Sequence, residues 1–153
     1  MIIRIVGAPA TGKTTLRHWL ADYLALPHFG IDDERLFYGW SLEAWQSLKQ
    51  KVDQTAACIL ETGGTTQSDR VVCSTRSTFT ILCTASRQTR HQRLVGRVEQ
   101  GYPLVTQDDY ATRLLKMGAP LLTPHASINS DNGFNPNQLE ALALRCNEFI
   151  DEG

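Results

Sequence analysis

The chain has 153 residues, a length that suits one domain around one core, so a single domain over 1–153 is expected. Its formal net charge is −1, which leaves no overall bias toward nucleic acid or an anionic membrane. No hydrophobic run reaches transmembrane length and the first glycine motif begins too early to follow a signal peptide, so a cytoplasmic protein with no membrane partner is expected.

In chain order, Met1-Ile-Ile-Arg-Ile-Val6 reads as a short buried strand. It leads into Gly7-Ala8-Pro9-Ala10-Thr11-Gly12-Lys13-Thr14, a complete G-x-x-x-x-G-K-[ST] loop, with Thr15 directly behind it. Leu16, Trp19, Leu20, Tyr23 and Leu24 then recur at helical spacing. Strand, glycine loop and helix form the arrangement that phosphate binding needs. Backbone N–H groups of the loop converge on the phosphates, and the helix N-terminus adds partial positive charge. Lys13 is expected to reach the β- and γ-phosphates and the Thr14 hydroxyl to hold Mg²⁺, so ATP and Mg²⁺ are the expected ligands.

Pro27 to Ile31 predicts a second strand, ending at Asp32-Asp33-Glu34-Arg35. Leu42, Trp45, Val52, Ala56 and Ile59 keep helical spacing. The run Ala56-Ala-Cys-Ile-Leu60 either ends that helix or forms strand three, and Gly63-Gly64 after it favours the strand. A helix is predicted from Thr66 to Arg76, a central strand over Phe79–Thr84, and a basic helix from about Arg87 to Arg97. The polar stretch Val98 to Thr106, with Gly101 and Pro103, reads as a loop able to close as a lid over roughly 98–106. A helix carrying Asp108, Asp109, Tyr110 and Leu114 follows, then a last strand at Ala126–Asn129. The final helix puts Leu139, Leu142, Ala143, Cys146, Phe149 and Ile150 on one face. Five strands alternating with helices predict a parallel sheet covered on both sides, with the active site at the carboxyl ends of the strands. The four cysteines contain no Cys-x-x-Cys pair and sit among apolar residues, as reduced core thiols would.

Three groups beyond the loop suit phosphoryl transfer. Asp32, at the end of strand two, is placed to accept an acceptor proton or to hold a magnesium-bound water, and so counts as a candidate for catalysis, metal and acceptor. Arg35, three residues on, would then face the same side and could clamp an anionic group on the acceptor; the same run also reads as an acidic helix start. Arg87, Arg90, Arg93 and Arg97 share one helical face, an array of like charges that suggests an anion opposite, with Arg93 and Arg97 the first candidates to stabilise transferring charge; the same face also reads as an exposed basic surface or a groove for nucleic acid. Gly63 and Gly64 either offer backbone N–H groups to the acceptor or make a plain turn. Trp40 and Trp45 are placed to stack on a base or sugar, or to pack in the core or on the surface.

These residues make the chain resemble the shikimate kinase branch of the nucleoside-monophosphate-kinase-like P-loop kinases. Gly7 to Thr14 is similar to that group's phosphate loop, and Asp32 corresponds to its acid after strand two. Thr62-Gly63-Gly64 is similar to its Thr-Gly-Gly-Gly turn, with Thr65 in place of the last glycine. Arg93-Leu94, Arg97 and Tyr102-Pro103-Leu104 resemble its lid segment, and Ala119-Pro120-Leu121-Leu122 with Ala126-Ser-Ile its closing motifs. The resemblance implies a three-layer α/β/α sandwich with a five-stranded parallel sheet and a lid, and a Ser130–Phe134 loop against adenine. Two departures concern the acceptor. The family's arginine before Pro-Leu is replaced in Met117-Gly118-Ala119, and its Phe-Arg after strand two has no match near Ala44-Trp45-Gln46. Both arginines bind the carboxylate of shikimate in that family, so shikimate is not the expected acceptor. Asp32-Asp33-Glu34-Arg35 also resembles the Asp-Asp-x-Arg of phage polynucleotide kinases and zeta-toxin-like enzymes. The expectation is an ATP-dependent kinase acting on a hydroxyl or phosphate of a small acceptor. A 5′-hydroxyl polynucleotide kinase and a nucleotide switch with weak ATPase activity are the alternatives.

Overall fold

The computed structural model describes residues 1–101, 116, 117, 120 and 122–153. Five strands, β1 (Ile2–Val6), β2 (His28–Gly30), β3 (Cys58–Glu61), β4 (Thr78–Thr84) and β5 (Ala126–Asn129), form one sheet in the order β2-β3-β1-β4-β5. Every pairing in it is parallel. Parallel neighbours need crossovers, which helices supply. Among the described residues these are α1 (Lys13–Leu24), α2 (Ile31–Tyr38), α3 (Leu42–Asp53), α4 (Gln67–Cys73), α5 (Arg87–Glu99) and α6 (Pro136–Asp151).

The alternation of strand side chains divides the core into two layers. Ile3 and Ile5 of β1 pack with Leu16 and Leu20 of α1 and with Leu142, Ala143 and Cys146 of α6. Ile2, on the opposite face, packs with Leu48 and Val52 of α3 and Val72 of α4. The sheet therefore lies between two helical layers, the three-layer α/β/α arrangement the sequence predicts. None of the described helices is long and apolar enough to cross a membrane.

Element boundaries follow local chemistry. Ser41 accepts a hydrogen bond from the Ala44 N–H (3.4 Å) and starts α3; Asn135 caps α6, with Pro136 in its first turn. Three expectations need correction. The second helix after β2, α3, ends at Asp53, so the helical spacing read on to Ala56 runs past it, while Ile59 belongs to β3, the strand that Gly63-Gly64 favour. Its buried stripe is Ala44, Leu48 and Val52, while Leu42 points to solvent. In α1 the fourth buried position is Ala21, and Tyr23 is exposed and stacked on Trp19 instead. The basic helix runs on to Glu99, so the first residues of the expected lid, Val98 and Glu99, are helical. Gln100 and Gly101 end that helix, and the rest of the expected lid, 102–106, and the helix expected around Asp108–Leu114 lie outside the described residues.

Candidate active site

The phosphate loop joins the central strand to α1. Gly7 has φ 155°, and a Cβ there would stand 2.3 Å from the Cys83 carbonyl oxygen, so only glycine lets the loop leave β1 this close to β4. Ala10 holds a left-handed φ of 63° inside the loop, a conformation that costs a non-glycine residue about 1 kcal/mol or more. Two arginines of α5 brace this strained segment from outside. Arg90 donates from Nε to the Pro9 carbonyl (2.8 Å), and Arg93 donates from Nη1 to the Ala10 carbonyl (3.1 Å). Arg93 also donates to the Ser130 hydroxyl (2.9 Å) and carbonyl (2.5 Å), and Ser130 donates to the Thr11 carbonyl (2.6 Å). The carbonyls of Pro9, Ala10 and Thr11 are thus each held by a side chain outside the loop.

The arginine array is thus divided. Arg90 and Arg93 clasp the back of the loop, Arg87 is exposed, and Arg97 lines the cavity in front of it. Arg93, expected at the transferring phosphoryl group, has its donors on carbonyls and a hydroxyl behind the loop. The Ser130–Phe134 segment abuts the loop as well: the Phe134 ring lies 3.1 Å from the position a Gly12 Cβ would take.

A cavity of about 290 Å³ opens in front of the loop at the carboxyl ends of the strands. Loop residues Gly7–Ala10 and Gly12–Thr14 form one end, with Asp32, Glu61 and Arg97 beside them. Ile31, Arg35, Trp40, Trp45, Thr65 and Met117 form the other. Gly63 lines it, but Gly64 faces away: at φ 79° its Cβ would meet Val6 at 2.9 Å and Pro120 at 3.0 Å. Of the two glycines expected at the acceptor, one therefore lines the cavity and the other closes the turn against β1. Thr15, behind the loop, is exposed and does not line the cavity.

The acid nearest the loop is one the motif reading missed. Glu61 ends β3, which pairs directly with β1 (Ile5 opposite Glu61), and its Oε1 accepts the Thr14 hydroxyl at 2.8 Å. Arg17 approaches the other carboxylate oxygen at 3.3 Å and pairs with Asp33 at 2.7 Å. Asp32 follows β2, one strand farther out, and lies in the first turn of α2, with Oδ1 accepting from Arg35 Nη1 at 2.8 Å. Of the two acids, then, Glu61 rather than Asp32 touches the loop hydroxyl, because β3 stands between β2 and β1. A hydroxyl and a carboxylate are hard oxygen donors, and Mg²⁺ that also takes phosphate oxygens needs only one or two such protein ligands. Thr14 and Glu61 fit that requirement.

Burial controls the protonation of this end. It pushes the Glu61 carboxyl above the ordinary glutamate value, against the pull of Arg17, Lys13 and the Thr14 hydroxyl. It lowers Lys13, with Glu61, Cys83 and Asp32 opposing. Lys13 Nζ donates to the Ala8 carbonyl at 2.8 Å. Two further polar residues, the half-buried Arg4 and the buried Asp69, pair at 2.6 Å, and Asp69 also accepts the Thr62 hydroxyl at 2.7 Å.

The fold is that of P-loop kinases, shikimate kinases among them. A protein of Chloroflexus aurantiacus described as a candidate kinase superposes with a TM-score of 0.71 at 22% identity, over 97% of each chain. The shikimate kinase of Acinetobacter baumannii, solved with shikimate, superposes at 0.57 and 17% identity, over 99% of this chain and 93% of that one. A gluconokinase of Sinorhizobium meliloti gives 0.60 at 10% identity, over 98% and 91%. No protein-family model and no curated protein sequence matches the chain.

Proposed function

We propose that this chain is an ATP-dependent phosphotransferase that moves the γ-phosphoryl group onto a small acceptor carrying a hydroxyl or phosphate. The observation that carries this reading is one continuous cavity. It has the phosphate loop with Lys13, Asp32 and Arg97 at one end, and a second compartment lined by Arg35, Trp40 and Trp45 at the other. A nucleotide-hydrolysing switch has no need of that second compartment. The kinases named above share the fold, and two of them act on small polyhydroxy acids by name.

The loop amides and Lys13 bind the phosphates of ATP, while Arg93 and Arg90 hold the loop in shape from behind. Thr14 and Glu61 would hold Mg²⁺, which would neutralise charge on the phosphates. Asp32 accepts the proton of the acceptor hydroxyl as its oxygen bonds to the γ-phosphorus. The bond from that phosphorus to the β-bridging oxygen breaks, and ADP leaves with the electron pair. Arg97, on the cavity wall, stabilises charge on the transferring oxygens.

ADP release with Mg-ATP across nucleosides, nucleoside monophosphates, sugar acids, shikimate and 5′-hydroxyl oligonucleotides tests the reading. One acceptor should raise the rate well above basal hydrolysis, and Asp32→Asn should keep ATP affinity while lowering that stimulated rate roughly a hundredfold or more. A flat, Lys13-dependent trickle, insensitive to Asp32→Asn, would identify a nucleotide switch instead.

A further inference from the structure

The far end of the cavity is built from one guanidinium and two indoles. Arg35 bonds Asp32 at 2.8 Å and lays its guanidinium carbon 3.8 Å from the Trp40 ring centroid and 5.8 Å from that of Trp45. Three contacts hold this one side chain, and its remaining exposure is 15%. Arg35 therefore acts as the post that fixes both indoles beside the carboxylate. The fixed aromatic surface remains open to solvent: Trp40 is 67% exposed. A second hollow, lined by Arg35, Trp40, Ser41, Leu42, Trp45 and Ser68, continues the cavity past the indoles.

Both carboxylates at this end already have a cation. Asp32 has Arg35 at 2.8 Å, and the buried Asp69 has Arg4 at 2.6 Å. Asp32 takes one Nη1 donor of Arg35, so a carboxylate or phosphate on the acceptor would have to share or compete for that guanidinium. Either way it would place a second anion beside the residue assigned as base. A neutral molecule meets none of this, and a flat ring finds two indole faces to cover.

Resting on the kinase reading above, we propose that the acceptor is an uncharged hydroxyl compound bearing a planar aromatic ring, of the nucleoside type. Its ring stacks on Trp40 and Trp45, and its hydroxyl reaches Asp32. The Asp32–Arg35 pair disfavours the sugar-acid class.

Calorimetric titration and ADP release, run on the same compounds, test this. The probes are the four common ribonucleosides and simple aryl alcohols, set against nucleoside 5′-monophosphates, gluconate and shikimate. Neutral ring compounds should bind and raise ADP release, and the anions should do neither. Trp40→Ala should weaken ring binding roughly tenfold, and Trp40→Phe should restore most of it, since stacking needs a ring and not the indole N–H. A sugar acid or a nucleotide as the preferred acceptor would overturn the proposed class and leave the kinase reading standing. Trp40-dependent binding of ring compounds with no ADP release would keep the ring subsite and sink the kinase reading. If no ring compound binds, or if Trp40→Ala binds it as well as the parent chain does, the subsite is overturned.

Discussion

At the scale of single residues, the Thr14–Glu61 contact has the most chemistry in it. Magnesium bound there needs Glu61 ionised, and phosphate binding needs Lys13 protonated. Burial works against both, raising the first group above its ordinary 4.5 and lowering the second below its ordinary 10.5. As pH falls through the raised Glu61 value, the carboxylate takes up a proton and Mg-nucleotide affinity is lost. As pH rises through the lowered Lys13 value, the ammonium is lost and affinity falls again. The affinity of Mg-ADP measured against pH should therefore be a bell narrower on both sides than ordinary side chains would give. Glu61→Gln should weaken Mg²⁺-dependent binding by at least roughly tenfold at neutral pH and abolish the acid limb. A limb unchanged in Glu61→Gln would assign it to another group. Glu61 carries a signal in the sequence, an acid closing the apolar run Cys58-Ile-Leu60, where a charge is costly without partners. What the sequence cannot supply is that β3, and not β2, lies against β1; strand order is decided by how crossovers pack, not by any local pattern.

At the scale of elements, α4 and the glycine turn are tied to the central strand through one ion pair. Arg4 is 11% exposed and Asp69 1%, and the Thr62 hydroxyl shares the same carboxylate oxygen. Removing one partner strands a buried charge. Asp69→Ala should therefore cost about 3–5 kcal/mol in urea unfolding, while Arg4→Met with Asp69→Leu should recover most of that loss. A double variant as unstable as the single one would mean that α4 is held by other contacts. The elements themselves were largely legible: β1, β5 and the face of α6 follow directly from apolar periodicity, and Gly63-Gly64 rightly favoured a strand before it. The misreadings came where a helical period ran past a true helix end, as from Val52 to Ile59. Apolar residues of a buried strand satisfy a 3.6-residue spacing by chance when the run is short. The buried role of Asp69 was illegible for a different reason. Nothing in Gln67-Ser68-Asp69 tells a helix start from a buried ion-pair partner until Arg4 is brought beneath it.

At the scale of the whole molecule, the question is whether a polynucleotide could be the acceptor. The arginines that suggested a groove for one are partly committed elsewhere: Arg90 and Arg93 bond the carbonyls of Pro9, Ala10 and Ser130, and Arg35 is paired with Asp32. The chain as a whole carries a formal charge of −1. A protein that neutralises several backbone phosphates releases their counterions, and its affinity falls steeply with salt, by roughly a thousandfold or more between 50 and 200 mM for six or more contacts. A cavity that takes one small neutral acceptor has no such contacts to lose. The KM for the acceptor should therefore change by less than about twofold over that range, with Mg²⁺ and ATP held saturating. The comparison is made on the acceptor and not on ATP, because ATP is itself a polyanion and would bring its own salt dependence. A steep slope in the acceptor KM would mean that phosphates of the acceptor meet cations along a surface. It would restore the polynucleotide reading and remove the neutral-ring acceptor together with it.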